Sequence, residues 1–319
     1  SASRGEVGQN RWMPVSQHRH AESRSRNLLV AVPIGLLFTA VSALGVLASA
    51  SKVASTSPPL PAAAAQLPSV DLEQQTAADP CADDTVKTAL AGGDDAAIVR
   101  AFGGGEAFRA AVGAGNAPCV SLGNPKRVWV IVNKARPLAP TDYAPASLTL
   151  NSLQTTTPSG RMRPEVAEAL AAMAAQAQAD GAGDIGVNNG YRSYGLQQST
   201  YAAHVDEHGQ AKADAGSARP GHSEHQTGLA VDVVACGVAG CGGLDDFGGT
   251  PQGKWVAENA WRFGFIVRYE EGQTRSTGYL AEPWHLRYIG PELAAAYHEG
   301  GYHCLEEFFS LPHAPDYPG

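Results

Sequence analysis

Gly221-His222-Ser223-Glu224-His225-Gln226-Thr227-Gly228-Leu229-Ala230-Val231-Asp232-Val233 sets two histidines, two acids and a serine against an apolar run that continues to Cys236. LAVDVVAC has the composition of a buried strand, and the polar residues before it, with Gly228 between, read as a turn feeding that strand. His225 and Asp232 stand seven apart on either side of Gly228. Imidazole and carboxylate both suit zinc, and a catalytic zinc site needs three protein ligands with one position left open. The third ligand must come from elsewhere in the chain. EPWH (282–285) offers His285, with Glu282 three residues before it and Pro283 between. Positions three apart on a regular strand face opposite sides, so both side chains reach one metal only if Pro283 keeps the glutamate out of a regular strand.

Working outward, PEVAEALAAMAAQAQADG (164–181) reads as a helix and DIGVNNGYRS (184–193) as a strand leading into a loop. KWVAENAWRFG (254–264) reads as a helix closed by Gly264, while FGFIVRYE and EPWHLRYIG read as further strands. RVWVIVNK (127–134) is the most apolar strand candidate. The order implies an α+β fold, a small antiparallel sheet with flanking helices carrying the zinc site. No internal repeat, phosphate-binding glycine loop or GxSxG elbow occurs.

The segment before this domain is different in kind. NLLVAVPIGLLFTAVSALGVLASAS (27–51) carries no charge and exceeds the about 20 residues that cross a bilayer core. Arg4, Arg11, Arg19, Arg24 and Arg26 precede it against Glu6 and Glu22, a bias kept on the cytoplasmic side. This predicts a cytoplasmic tail over 1–27, a transmembrane helix or signal anchor over 28–50, and everything after it outside the cell. Cleavage after Ala48-Ser49-Ala50, giving a secreted protein, is the competing reading. Residues 51–80, rich in Ala, Ser and Pro, read as a flexible linker. Residues 81–120 read as a small helical segment, with DDTVKTALA, DDAAIVRAF and GEAFRAAV broken by glycines, and 121–319 as the catalytic domain.

Five cysteines in an exported chain point to disulfides with one thiol left over. Cys81 with Cys119 would close the helical segment and Cys236 with Cys241 the glycine-rich loop, leaving Cys304 unpaired. A zinc ribbon on Cys236 and Cys241 lacks a second cysteine pair at ligand spacing. A formal net charge of -8 argues against nucleic acid as a partner.

Ser223-x-His225-x-x-Gly228-x-Ala230-x-Asp232 with Glu282-x-Trp284-His285 resembles the signature of the VanY-type D-alanyl-D-alanine carboxypeptidases. These are zinc peptidases of the group that includes lysostaphin-like enzymes and the hedgehog signalling domain. The resemblance extends to Tyr191-Arg192-Ser193-Tyr194-x-x-Gln197 and to VNKARPLAPTDYAPASL (132–148), and covers roughly residues 125–310. It implies that His225, Asp232 and His285 hold Zn2+, that Glu282 is the general base and that Arg192 stabilises the oxyanion. It further implies that Ser223, Gln197 and Trp284, with Tyr191 beside the arginine, bind a peptidoglycan stem peptide ending in D-alanine. The membrane would be met through the N-terminal helix. A non-catalytic zinc-containing module that binds cell-wall peptides is the alternative.

Of the remaining histidines, His204, His208, His298, His303 and His313 have no acid or cysteine at ligand spacing and are expected to be structural, whereas His222 is placed to line the cleft. Asp245 and Asp246 are expected to open a turn before Phe247, and Trp255 and Trp261 to belong to the core.

Overall fold

The computed structural model describes residues 79–318. The uncharged span, the arginine-bearing tail before it and nearly all of the expected linker lie outside the described residues. Among the described residues no helix is long and apolar enough to cross a membrane.

Three short helices open the described chain: α1 (Asp84–Gly92), α2 (Asp95–Ala101) and α3 (Gly105–Gly113). Aspartate caps start the first two. The Asp83 carboxylate accepts from the Thr85 and Val86 amides, and Asp94 accepts from Ala97, meeting donors that a helix start leaves orphaned. A Cys81–Cys119 disulfide closes the segment. These helices share the main core rather than forming one of their own: the Phe108 ring lies 4.9 Å from Trp129, and Ile98 and Val99 are buried with it.

Two two-residue strands, β1 (Thr149–Leu150) and β2 (Arg161–Met162), pair with each other. Helix α4 (Pro164–Ala179) follows, with Pro164 at its first position and Val166, Leu170, Met173 and Ala177 buried along one stripe. The main sheet is antiparallel and joins β3 (Asp184–Asn189), β4 (Ala230–Gly237), β5 (Gly240–Cys241), β6 (Phe265–Tyr269) and β7 (Glu282–Tyr288). Its path is β3-β4-β7-β6, with β5 folded back on β4 and the Cys236–Cys241 disulfide across that hairpin. Between β3 and β4 lie α5 (Tyr194–His208) and α6 (Gln210–Gly216); α7 (Pro251–Asn259) precedes β6, and α8 (Thr274–Thr277) precedes β7. The chain then runs through α9 (Pro291–Glu299) and α10 (Leu305–Phe308), after which Tyr317 reaches Tyr279 and the Arg219 amide. The α+β class with flanking helices and a small antiparallel sheet is as the sequence implied, as are both disulfides and the free, buried Cys304.

One strand reading fails. Residues 128–134 are buried but pair with no neighbouring strand. Their backbone is satisfied by other groups: the Arg287 guanidinium donates to the Val128 and Val130 carbonyls at 2.9 and 2.7 Å, Asp95 accepts from the Val128 amide, and Leu122 accepts from Ile131. An apolar run buried on every side has the composition of a central strand whether or not a ladder exists, because burial sets the composition.

Candidate active site

Strand register builds most of the site. Asn189 pairs with Asp232 across β3 and β4, and Asp232 pairs with His285 across β4 and β7, so three consecutive strands set these side chains in one row. His225 joins the row from a 3-10 turn, Glu224–Thr227, which ends at Gly228 with φ of 69°. A side chain at Gly228 would be strained there and would crowd Leu148 and Arg163, both 3.2 Å from the position of its Cβ. The glycine thus lets the chain reverse from the histidine into β4.

His225, Asp232 and His285 are all buried, and one ligand atom from each lies within 4.8 Å of the others. Nδ1 of His225 is 2.7 Å from the Gly190 carbonyl, so it carries the proton and Nε2 keeps its lone pair, 3.3 Å from Asp232 Oδ2. Nδ1 of His285 faces Asp232 Oδ1 at 3.3 Å and Glu282 Oε2 at 3.5 Å. Asp232 Oδ1 is buried without a hydrogen-bond partner among the described residues. Two imidazoles, one carboxylate and an unmet carboxylate oxygen between them form a donor set that fits zinc.

The charges follow from the burial. Desolvation works against the Asp232 carboxylate, but the two histidines outweigh it and hold it ionised. Burial pushes the His225 imidazole toward its neutral form, the form that ligates. Burial acts the same way on His285, yet the Asp232 and Glu224 carboxylates beside it raise it to about 9. Burial raises Glu282 to about 7, with the Asp232 charge adding to it and His285 and Arg192 opposing. A divalent cation at the triad would bring both groups down. The Arg192 guanidinium is largely desolvated, lies in the field of Asp232 and Glu282, and leaves Nε without a partner.

Glu282 opens β7 rather than standing outside it. The distortion that brings it to His285 is a bulge: Val267 pairs with Leu286 but Tyr269 with Glu282, so Arg268 alone faces three residues of β7, Pro283 among them.

These groups line a cleft of about 240 Å³ with Ser223, Trp284, Tyr269, Tyr279 and His204. A larger cavity of about 480 Å³, lined by Val99, Tyr288 and Leu293, shares no lining residue with it and holds none of the three ligand candidates, so volume alone does not mark the site. Gln197 and Tyr191 are not among the cleft-lining residues. Gln197 is fully buried and donates to the Ala218 carbonyl at 2.6 Å, supporting the segment that lines the cleft, while Tyr191 flanks Arg192. His222 does not line the cleft either: its Nδ1 lies 2.8 Å from the Asn133 carbonyl and its ring packs edge-on against Tyr317. His204, expected to be structural, does line it.

Residues 159–291 match the VanY family, D-alanyl-D-alanine carboxypeptidase. The chain is 37% identical over 193 residues to putative carboxypeptidase YodJ of Bacillus subtilis (strain 168), covering 59% of this chain and 69% of that protein. The chain belongs to the VanY D-alanyl-D-alanine carboxypeptidase family. It is therefore a zinc metallopeptidase of the carboxypeptidase type, and its buried His-Asp-His set is suited to that metal. A further relative, a D-alanyl-D-alanine carboxypeptidase of Enterococcus faecalis (strain ATCC 700802 / V583), is 43% identical over 144 residues, 42% of this chain and 50% of the relative. Among solved structures, the LdcB LD-carboxypeptidase superposes with a TM-score of 0.54 at 37% identity, covering 59% of this chain and 87% of that one.

Within this VanY-family site the sequence reading missed two side chains. Asn189 donates to Asp232 Oδ2 at 3.1 Å. Glu224 is fully buried, accepts from Arg268 at 2.9 Å and Arg287 at 2.7 Å through one oxygen, and lies 3.4 Å from His285 Nε2 through the other. Arg268 is shared with Glu306, which also accepts from Asn133. Two arginines and two glutamates thus balance inside the fold. Burial opposes ionisation of Glu224, but the charges of Arg287 and Arg268 outweigh it and hold the carboxyl far below its usual range. The available signal was the pair of arginines at alternating strand positions, 268 in β6 and 287 in β7, where a buried strand ordinarily carries apolar residues.

Proposed function

We propose that this chain removes the C-terminal D-alanine from peptidoglycan stem peptides, of DD or LD type, with zinc held by His225, Asp232 and His285. The observation that carries the reading is Glu282 beside that triad, 3.5 Å from a ligand nitrogen, without being needed as a ligand itself. The names of the relatives support the substrate class: D-alanyl-D-alanine carboxypeptidases in the enterococci, and an LD-carboxypeptidase whose structure is described in terms of peptidoglycan recognition.

Zinc, when bound, supplies Lewis acidity that activates water and polarises the scissile carbonyl. Glu282 accepts the proton of the attacking water and passes it to the leaving amine of D-alanine. Its carboxyl lies in the cleft wall, largely desolvated, where small changes in surroundings move its proton affinity across neutral pH. The Arg192 guanidinium, with an unspent donor, is set to stabilise the oxygen on which charge grows. Ser223 and Trp284 on the cleft wall are assigned to the terminal D-residue, and Gln197 and Tyr191 act through the segments they support.

We also place residues 51–319 outside the cytoplasm. The arginine bias before the uncharged span supports this, as do two disulfides within the described chain. Protease added to wall-stripped cells should digest this region, and full protection would reverse the orientation.

The chemistry is tested with Glu282→Gln on defined tetrapeptide and pentapeptide stems, with products weighed by mass spectrometry. The variant should keep its zinc and its affinity for stem peptide while turnover falls by about 10²–10⁴-fold. Parent-like cleavage by the variant would refute the mechanism. Loss of one alanine from the pentapeptide alone assigns DD specificity, and loss from the tetrapeptide alone assigns LD.

A further inference from the structure

Tyr317 does not line the metal cleft, yet it is bonded to two separate pieces of the cleft wall. Its hydroxyl oxygen accepts from the Arg219 amide at 2.8 Å and lies 3.1 Å from the Tyr279 hydroxyl. The first bond reaches the segment after α6, where Ser217 and Ala218 line the cleft; the second reaches the turn after α8, where Tyr279 does. The ring is held as well. The Arg219 guanidinium stands 4.1 Å from its centroid while paired with Asp214 through bonds of 3.0 and 2.9 Å, and His222 packs edge-on against it at 5.0 Å.

The backbone leading to Tyr317 is fastened to the same turn. The Ala314 amide donates to the Ser276 carbonyl at 2.8 Å, and the Lys134 ammonium joins the Gly278 and Pro315 carbonyls at 2.6 and 3.2 Å. Gly278 has a φ of 81°, and a Cβ there would stand 2.5 Å from the Pro315 carbonyl oxygen, so two backbones meet where a side chain has no room.

From this juxtaposition we infer that residues 314–317 form a strap that sets the spacing of the two wall pieces, with Tyr317 a positioning residue for the substrate peptide. The direct backbone bond between the pieces is a long one, from the Leu280 amide to the Ala215 carbonyl at 3.3 Å. Gln197 holds the Ala218 carbonyl from α5, so the segment after α6 keeps its own fold without the strap; its distance from Tyr279 is what the strap adds. Neither piece carries a metal-ligand candidate, so the strap acts on peptide binding rather than on zinc. A wall held in place less of the time lowers apparent affinity by the fraction of time it is out of place. This use rests on the proposed cleavage of stem peptides.

Two measurements on the full chain test the proposal. The first is amide hydrogen exchange read by mass spectrometry, which needs no substrate. Tyr317→Phe keeps the ring and removes the hydroxyl, and Tyr317→Ala removes both. Each should speed exchange in residues 215–219 and 277–280 while leaving β3, β4 and β7 as slow as in the parent, and the alanine variant should do so more strongly. The second is steady-state cleavage of a stem peptide together with a chelator competition for zinc. Tyr317→Phe should raise KM by about two- to tenfold, the span that one net hydrogen bond covers, with kcat and zinc affinity nearly unchanged. Tyr317→Ala should raise KM further. Unchanged exchange in both wall pieces, or faster exchange with KM unmoved, would overturn the strap. Faster exchange throughout the sheet, with kcat and zinc affinity falling together, would overturn it in favour of a role in overall stability alone. A parent that cleaves no stem peptide would overturn the proposed reaction, and the exchange of the two wall pieces would then decide the strap by itself.

Discussion

Glu224 spends one carboxylate oxygen on two arginines and faces His285 with the other, 3.4 Å from Nε2. Such a partner fixes which nitrogen of a ligand histidine is free, and its loss typically weakens metal binding by about 10–100-fold. Glu224→Gln should show that loss in a chelator competition. It should also lower stability by about 3–5 kcal/mol in urea unfolding, because Arg287 would be left buried without a compensating charge. Glu306→Gln shares Arg268 but does not touch His285, so it should destabilise while leaving zinc affinity unchanged. Equal zinc affinity in both variants would remove Glu224 from the site. The sequence made His225, Asp232, His285 and Glu282 legible because ligand chemistry restricts residue types and spacing. Glu224 was hidden because its meaning lies in Arg268 and Arg287, 44 and 63 residues away, which only the strand register brings to it.

At the scale of elements, alternation and caps made α1, α2, α3, α4 and α7 and β3, β4, β6 and β7 readable, whereas α5, α6, α8, α9 and α10 were not read from the sequence. Residues 127–134 were not readable, because the Arg287 guanidinium supplies bonds that sequence periodicity attributes to a neighbouring strand. The bulge opposite Arg268 was partly readable, since Pro283 forecasts a break in regularity but not its position. Helix α3 offers an element-level test. A Cβ on Gly105 would stand 2.1 Å from the Glu292 carbonyl oxygen, so the start of α3 touches the backbone of α9 directly. Gly105→Ala must separate these helices and should cost about 1–3 kcal/mol or more in denaturant unfolding. Because that contact shares no lining residue with the metal cleft, zinc binding at saturating metal should persist.

For the whole molecule, two buried glutamates matched to two buried arginines are expected to contribute to the acid limit. Burial works against Glu306, but Arg268 and Asn133 hold its carboxyl below the usual value near 4.5. A depressed carboxyl contributes stability that is fully present above its unfolded value and is lost as pH falls through its folded value. Thermal unfolding should therefore be flat above about pH 5 as far as this group is concerned, then fall steeply on acidification below about pH 4.5. In Glu306→Gln the midpoint should be lower at neutral pH and the acid slope shallower. An unchanged slope would assign the acid limit to other groups.

The same internal balance bears on how the enzyme acquires its metal. With no cation present, the protonated His285 offsets the ionised Asp232, and the Arg268–Glu224–Arg287 cluster holds the strands that carry them. Folding is therefore expected not to wait for zinc, unlike small domains whose cores are built around the ion. Chelation should leave the near-ultraviolet circular dichroism at 25 °C unchanged, lower the unfolding temperature only by the lost binding energy, and be reversed by added zinc. A collapsed spectrum would show that the ion is part of the scaffold. A chain finished before it is metallated is inert until zinc reaches it, so the zinc supplied by its surroundings, not the rate of synthesis, would govern how much of it is at work.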